Sequence, residues 1–479
     1  IMSIVIEDDG LYEEVGFYPV APVEKLTKEE ILDIVREAGV VGMGGAGFPT
    51  HVKLNAKSEY FIVNAAECEP LIETDKFLMR TRAADLVKGV DMIAKELGAD
   101  KKYIALKAAY KTEIAALEAA IAEAGSDIKL HKMGYFYPAG DEQVIVCEIT
   151  GKSVPERGIP LMVGAVVDNV GTVLNIVDAF EGKPVTDKFL SVVGEVKHPV
   201  MLSVPLGTSV RACVEAANPT ISNYAVIMGG PMMGGVHDQE EDIDKLVITK
   251  TDGNIIVLPK DHHLVKWAHL KSESMKNRAK SSCIQCRMCT DNCPRYQIGH
   301  DIEPHKIMRN LYRVNMINDN DEFLRVFGHA INCCECGACE LFSCPMHLAP
   351  RKANVYIKNE LRARGIDVPK NMEPVERPER EVRKIPTNRL AARLDLTKYY
   401  GKHLLTDEPI VLEPETVEIP LKQHIGAPST AVVAVGDKVK KGDVIGQMDE
   451  GKLGANVYAS FDGEVVAVTD RVVLRRESK

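Results

Sequence analysis

Basic charge, aromatic residues and long apolar runs are all in short supply in this chain, and each shortage removes a class of function. The 479 residues carry 59 Lys and Arg against 69 Asp and Glu, a formal net charge of −10. A chain so balanced lacks the basic footprint of a nucleic-acid binder. Aromatic residues are 5% of the total, with Trp267 the single tryptophan, so stacking platforms for bases are few. No apolar run reaches the roughly 18 to 20 residues that a membrane helix needs. The opening stretch IMSIVIEDDGLYEE is acidic, whereas a secretory signal begins basic. The expectation is a cytoplasmic protein with no nucleic-acid partner and no direct membrane span. At this length several domains are expected rather than one core.

Cysteine is sparse except in one region. Nine of the twelve fall between Cys283 and Cys344, in the two stretches CIQCRMCTDNCP and CCECGACELFSCP. The first is C-x2-C-x2-C-x3-C-P, formed by Cys283, Cys286, Cys289 and Cys293. In this bacterial ferredoxin run three thiolates bind one [4Fe–4S] cluster and the fourth crosses to a second. The second stretch repeats it with Cys333, Cys336, Cys339 and Cys344, its last gap one residue longer. Crosswise ligation assigns Cys283, Cys286, Cys289 and Cys344 to one cluster and Cys333, Cys336, Cys339 and Cys293 to the other. Zinc sites use two C-x2-C pairs or mix in histidine, and have no use for a third cysteine or the following proline. A disulfide framework does not suit a long acidic chain without an export signal. Cys334, Cys68, Cys147 and Cys213 are then surplus and read as small buried residues.

Two one-electron centres need an electron source, and glycine suggests one. GMGGAGFPTHVK places Gly42, Gly44, Gly45 and Gly47 within six positions and follows them with Phe48 and Lys53. Bare backbone at this density lets N–H groups close round an anion and makes positive φ cheap. The spacing is neither the dinucleotide fingerprint nor a P-loop; read alone, the stretch is equally a packing turn or a cofactor site. A helix leads into it, capped by Thr27 and Glu30 in capping-box spacing. A strand follows at Tyr60 to Val63, ending in Asn64, Glu67 and Glu69. Next come a helix over Ala83 to Leu97, a strand at KYIALK, a helix at YKTEIAALEAAIAEAG and a strand at IKLHKM. Such alternation implies a largely parallel sheet, whose ligands sit at the strand C-termini.

In this order, GMGGAGFPTHVK, NAAECEP, YPAGDEQVI from Tyr137 to Ile145 and VDNVGT from Val167 to Thr172 resemble the FMN-binding signatures of the NADH-oxidising flavoprotein subunit of respiratory complex I. They resemble still more its relatives, the C component of the Rnf complex and the cobalamin reductases of propanediol-utilisation microcompartments. The resemblance runs over most of the chain. It implies that Gly42, Gly44, Gly45, Gly47 and Lys53 cradle the FMN phosphate and ribityl chain, and that Phe48 stacks on the adenine of NADH. It further implies that Asn64, Asp141 and Glu142 bond flavin or nucleotide, with Tyr137 and Gly140 in the same motif. Asn169 and Thr172 would close the phosphate side, and Glu67 and Glu69 would line the pocket. Ala66 stands where complex I has an acid. Hydride transfer to a flavin needs no general acid or base, so no side chain is read as catalytic in that sense.

The fold class expected is multidomain α/β. It comprises an N-terminal arm (1–25), an FMN- and NADH-binding domain like the complex I flavoprotein (26–190) and an SLBB β-grasp domain (191–262). A helical two-cluster ferredoxin-type domain (263–365), an exposed linker (366–410) and an all-β, lipoyl-like barrel-sandwich hybrid (411–479) complete it. Lys452 falls about where lipoyl domains carry their prosthetic lysine, although EGKLG is not a strict acceptor sequence. The C component of the Rnf complex resembles this module at its N-terminus and the cobalamin reductase at its C-terminus, as here. The function implied is an NADH-oxidising electron-transfer subunit, passing electrons from NADH through FMN and two [4Fe–4S] clusters to a partner reductase in a hetero-oligomeric complex. The acceptor could be cobalamin, methylenetetrahydrofolate or similar, in the cytoplasm, in a microcompartment or peripheral to a membrane complex. The C component of a membrane-associated Rnf-type ferredoxin:NAD oxidoreductase and an adaptor with an empty flavin pocket are the alternatives.

Overall fold

The structure is a computed structural model that describes residues 25–476; the N-terminal arm read from the sequence lies almost wholly outside them. The first unit is an all-parallel four-stranded sheet in the order Lys129–Met133, Lys101–Lys107, Tyr60–Asn64, Ala165–Asn169. Its two central strands are apolar runs where they are buried, except for Lys107 at the end of the second, as a sheet covered on both faces favours. Helices Lys28–Glu37, Ala83–Leu97, Lys111–Ala124, Glu142–Thr150 and Val170–Phe180 accompany it. The capping box forms, with Thr27 Oγ1 accepting from Glu30 N and the Glu30 carboxylate accepting from Thr27 N. Gly98 and Gly125 end their helices in the left-handed conformation, where a Cβ would be strained.

Register decides what meets at the carboxyl edge of this sheet. Asn64 pairs with Asn169 at the ends of adjacent parallel strands, so two motifs more than a hundred residues apart start side by side at the position where open α/β sheets bind ligands.

The second unit is a mixed six-stranded sheet ordered Ile410–Val411, Val200–Pro205, Asp187–Gly194, Asn254–Pro259, Tyr224–Met228, Gly235–His237. The antiparallel hairpin, the parallel central pair of Asp187–Gly194 with Asn254–Pro259 and the helix Val210–Ala216 give it a β-grasp form. A helical unit follows, its core built on Met275, Ile307, Phe323, Phe327 and Ile357. The C-terminal unit packs two small antiparallel sheets round Ile419, Ile445, Val457, Val465 and Leu474, a barrel-sandwich.

These units are tied together at named points. Lys250, fully buried, donates through Nζ to the carbonyls of Gly39 (2.8 Å) and Asn456 (2.7 Å), joining three units at one ammonium. Ile425 N donates to Ala46 O at 2.9 Å, which seats the barrel on the glycine loop. The stretch 366–410, read as an exposed linker, is more engaged than that. Although most of NMEPVERPERE is exposed, Arg380 is buried and bonds Glu148 and Glu376. Ile385–Pro386 then pairs with Phe136–Tyr137, and Leu390, Leu394 and Leu396 are fully buried. Apolar residues at helical spacing in an otherwise charged segment bury because the cleft between units offers them a surface. Among the described residues no helix is long and apolar enough to cross a membrane.

Candidate functional site

A cavity of about 1280 Å³ opens at the carboxyl edge of the parallel sheet, above the roughly 300–1,000 Å³ of a typical small-molecule site. Gly44, Gly45, Asn64, Glu67, Glu69, Tyr137, Gly140, Asp141 and Asn169 line it. A Cβ on Gly45 would meet nothing within 4 Å, so this glycine keeps backbone bare towards open space. Asn169 caps the helix Val170–Phe180, accepting from Gly171 N at 2.8 Å, and its amide donates to Asp75 at 2.8 Å. The positive end of that helix thus points at the cavity, where an anionic group is stabilised. Asn64 holds the opposite loop, donating to Gly140 O (2.8 Å) and accepting from Ala66 N (3.2 Å). Open backbone, a capped helix N-terminus and the cavity's size together fit a phosphate-bearing flavin.

Other residues expected at the site lie behind its wall. Gly42 N closes the loop onto Phe48 O at 2.8 Å, and Gly47, the one glycine of the four with positive φ (71°), packs against His424 of the barrel. Phe48 is 37% exposed and outside the cavity lining. Lys53 Nζ donates to Val167 O (2.7 Å) and pairs with Asp168 (3.2 Å) and Glu142 (3.4 Å). Burial alone would lower its pKa, but Asp168 and then Glu142 raise it above the ordinary lysine value. Thr172, fully buried, accepts from Met43 N at 3.0 Å and so fixes the loop from beneath.

Part of the wall is made of residues that no sequence motif singles out. Asp75 is one. Another is the loop IMGGPMMGG, whose Met232 N donates to Glu69 at 2.7 Å and whose Gly230 lies so close that a Cβ would collide with the Glu69 carboxylate. Its glycine density is a usable signal. Lys440, Lys441, Asp443 and Asp462 bring the barrel to the rim. Cys68 and Cys334, expected to be buried, line the cavity and are part-exposed, whereas Cys147 and Cys213 are buried as expected.

Desolvation raises the pKa of three carboxyls in the cavity: burial first, then Asp75 and Glu69, for Glu67; burial for Asp75; and burial for Glu69, to about 7. An unfolded Glu ionises near ~4.3, so between there and about 7 the folded chain binds the extra proton at Glu69. Stability therefore falls as pH rises through that interval. In flavin-stripped protein the melting temperature should decline from pH 5 to pH 8, and Glu69→Gln should flatten the decline; equal slopes for both proteins in thermal melts would sink this account.

The cluster domain docks directly on the cavity. Arg295 forms a bidentate pair with Asp141 (2.6 and 2.9 Å), Asp141 also capping the helix Glu142–Thr150. Tyr137, buried, donates its hydroxyl to Cys336 O at 2.5 Å. Cys334 and Cys336 form part of the cavity wall.

The thiols lie in two adjoining groups. Burial first, then Cys344, Cys283 and Cys286 beside it, push the Cys289 thiol up to about 12. Cys293 instead has Cys334 and Cys333 as neighbours, and Cys339 has Cys333, Cys289 and Cys293 nearby, so the two groups adjoin at Cys289 and Cys339. Both runs turn alike: Gln285 (φ 56°) and Arg287 (68°) match Glu335 (63°) and Gly337 (78°), two and four residues after the first cysteine. The extra residue before Cys344 is taken up by a π-helical turn, Ala338–Ser343, where the first run has the α-turn Met288–Asp291. A π-turn inserts one residue without displacing what flanks it, so Cys344 still reaches the first set. Donors already point at the sulfurs: Gln285 Nε2 to Cys283 (3.0 Å), Glu335 N to Cys333 (3.4 Å) and Leu348 N to Cys344 (3.3 Å). Among the described residues no three His, Cys, Asp or Glu close round a single-ion site; the cluster assignment rests on spacing, grouping and turn geometry. Cys286 is exposed, while Cys293, Cys336 and Cys339 are buried.

Fold and site together define a flavo-iron–sulfur oxidoreductase. Residues 35–178 match the Nuo51 FMN-binding domain, 282–349 a 4Fe-4S dicluster domain and 396–478 the RnfC barrel sandwich hybrid domain. Cobalamin reductase PduS of Salmonella typhimurium is 40% identical over 451 residues, covering 94% of this chain and 96% of that protein. The Citrobacter freundii cobalamin reductase PduS is 40% identical over 450 residues, covering 93% and 96%. The C component of the Na(+)-translocating ferredoxin:NAD(+) oxidoreductase complex of Acetobacterium woodii is 33% identical over 304 residues, 61% of this chain and 64% of that one. The chain belongs to the family of cobalamin reductase PduS, with the C component of the Rnf complex as a relative. It is an NADH-oxidising electron-transfer subunit that carries FMN and 4Fe–4S clusters. An NAD+-reducing [NiFe]-hydrogenase chain is similar at TM-score 0.49 and 20% identity over 74% of this chain and 70% of that one, a likeness that carries no functional weight.

Proposed function

We propose that this chain delivers electrons from NADH to a corrinoid-reducing reaction, and that the cavity at the parallel-sheet edge is where NADH meets FMN. The observation that carries this reading is the wall made by Cys334 and Cys336, which brings one cysteine set to the flavin cavity. FMN, when bound, accepts an electron pair as hydride and yields electrons singly, matching one-electron cluster chemistry. The chain's own residues orient and shield. Gly44 and Gly45 leave room for backbone approach and the Asn169-capped helix faces the phosphate. Glu67, Glu69 and Asp75, held towards protonation by burial, limit negative charge beside an anionic ligand. Cys293, Cys333, Cys336 and Cys339 hold the inner cluster, and Cys283, Cys286, Cys289 and Cys344 the outer one. Exposed Cys286, with Ile284 61% exposed beside it, marks the face offered to an acceptor. The likeness to the cobalamin reductases and the C-terminal barrel support the corrinoid acceptor and a cytoplasmic setting.

Anaerobically purified protein should carry about eight iron, about eight sulfide and one FMN. NADH should bleach its visible spectrum, and an oxidised cobalamin added afterwards should restore it faster than ferredoxin does. Zinc without acid-labile sulfide, or ferredoxin as the faster acceptor, would overturn the respective half of this reading.

A further inference from the structure

Asn354 stands on the helix Pro350–Ala363, 0% exposed, and neither its Nδ2 nor its Oδ1 has a hydrogen-bond partner. A buried carboxamide with both ends idle is rare in folded chains, because the water it gives up is not replaced. It lines a small cavity together with Cys293, Cys333, Cys336 and Cys339, the four thiols grouped above as the inner set. Its neighbours on the same helix face are fully occupied. Arg351 donates to Met232 O (2.7 Å) and pairs with Glu340 (2.7 Å). Lys358 donates to Cys333 O (3.0 Å) and to Glu335 (2.6 Å). At positions i, i+3 and i+7 the three side chains point the same way. Only the middle one is left without a partner; Arg351 lines the same cavity but is already paired.

We propose that Asn354 donates its amide N–H to a sulfur of the inner cluster and so raises that cluster's reduction potential relative to the outer one. Sulfide and thiolate accept hydrogen bonds and donate none, so the amide must present its NH2 group to them. A donor favours the more negative, reduced state, and hydrogen bonds to sulfur are among the levers that set cluster potentials. The outer set has a side-chain donor, Gln285, and a backbone donor, Leu348, and the inner set has the backbone donor Glu335 N at Cys333; among the described residues Asn354 is the one orphaned side chain lining the inner cavity. Its consequence is an inner centre tuned to take electrons from the flavin side. Asn354 is thus a positioning and tuning residue, and the inference rests on the two-cluster reading.

The test is an EPR-monitored redox titration of the whole protein and of Asn354→Leu and Asn354→Asp, each first assayed for iron, sulfide and flavin. Leu keeps the volume without polar atoms; Asp keeps the shape but loses the donor. With iron and flavin retained, one midpoint should fall in both variants by roughly tenfold in the reduction equilibrium, about 59 mV for one electron, while the other stays fixed. Cys286→Ser, which removes the outer centre, identifies the shifted midpoint as the inner one. Unchanged midpoints in both variants would overturn the proposal. So would loss of the inner irons from both with flavin and outer cluster kept, since Asn354 would then be wall rather than donor. Absence of two clusters from the unaltered protein would instead overturn the reading beneath it.

Discussion

Gly45→Val should weaken flavin binding at least tenfold and leave the rest of the molecule intact. A Cβ at Gly45 would meet nothing within 4 Å, so the chain accommodates the branched side chain; what it occupies is the open space of the cavity. Elsewhere a substitution that touches no neighbour stays within about 0.5 kcal/mol of neutral, and the iron content and melting point of flavin-free protein should confirm that here. Flavin affinity should fall at least tenfold, the equivalent of only ~1.4 kcal/mol, because several phosphate contacts would be blocked together. The other loop glycines make poorer tests. A Cβ on Gly44 would come within 3.3 Å of Asn169 and disturb the helix cap, and one on Gly47 would strike His424 and loosen the barrel. Lys53→Ala answers a different question: it would leave Asp168 buried and unpaired, a loss of ~3–5 kcal/mol in stability rather than in flavin contact. Flavin released from Gly45→Val and quantified by fluorescence decides the matter. Stoichiometric FMN with normal NADH oxidation would make the loop a packing turn and remove the flavin from this cavity.

Residues whose role depends on chain neighbours are legible in the sequence, and residues whose role depends on distant partners are not. The capping box at Thr27 and Glu30, the strand ending at Asn64 and the eight-cysteine spacing all express short-range rules, and the structure has them where the sequence places them. Lys53 is the opposite case. Its position after a glycine loop suggests a phosphate ligand, yet the Ala165–Asn169 strand lays Asp168 and the Val167 carbonyl against it, and no local pattern announces that pairing. Gly230 needs its missing side chain because Glu69 arrives from 161 residues earlier in the chain. Cys334 reads as a spare small residue since its neighbour Cys333 completes the run, and only docking of the helical unit through Arg295 and Tyr137 turns it to the cavity. The longer gap before Cys344 reads as a flaw in the motif. A π-turn resolves it, and such a turn has no sequence signature of its own.

Replacing one cysteine from each set should separate oxidation of NADH from delivery of its electrons. Cys286 is exposed and belongs to the outer set, while Cys336 is buried, accepts the Tyr137 hydroxyl at its carbonyl and lines the flavin cavity. Serine is nearly isosteric with cysteine but a poor ligand for iron, so each variant should lose about four of about eight irons and keep its flavin. Reduction of ferricyanide, which can take electrons from the flavin itself, should survive in both. The variants should part company in the next measurement. In Cys286→Ser, NADH should still reduce the remaining centre in anaerobic EPR, because that centre borders the cavity. In Cys336→Ser, dithionite should reduce the remaining centre and NADH should fail to do so, because Cys336 of the inner set lines the cavity and no cysteine of the outer set does. Cobalamin reduction should fall at least tenfold in both, from a missing exit in one and a missing entry in the other. If NADH reduced the surviving centre of Cys336→Ser as fast as that of Cys286→Ser, the outer set would have its own access to the flavin. The order of the two sets inferred from Cys334 and Cys336 at the cavity wall would then be wrong.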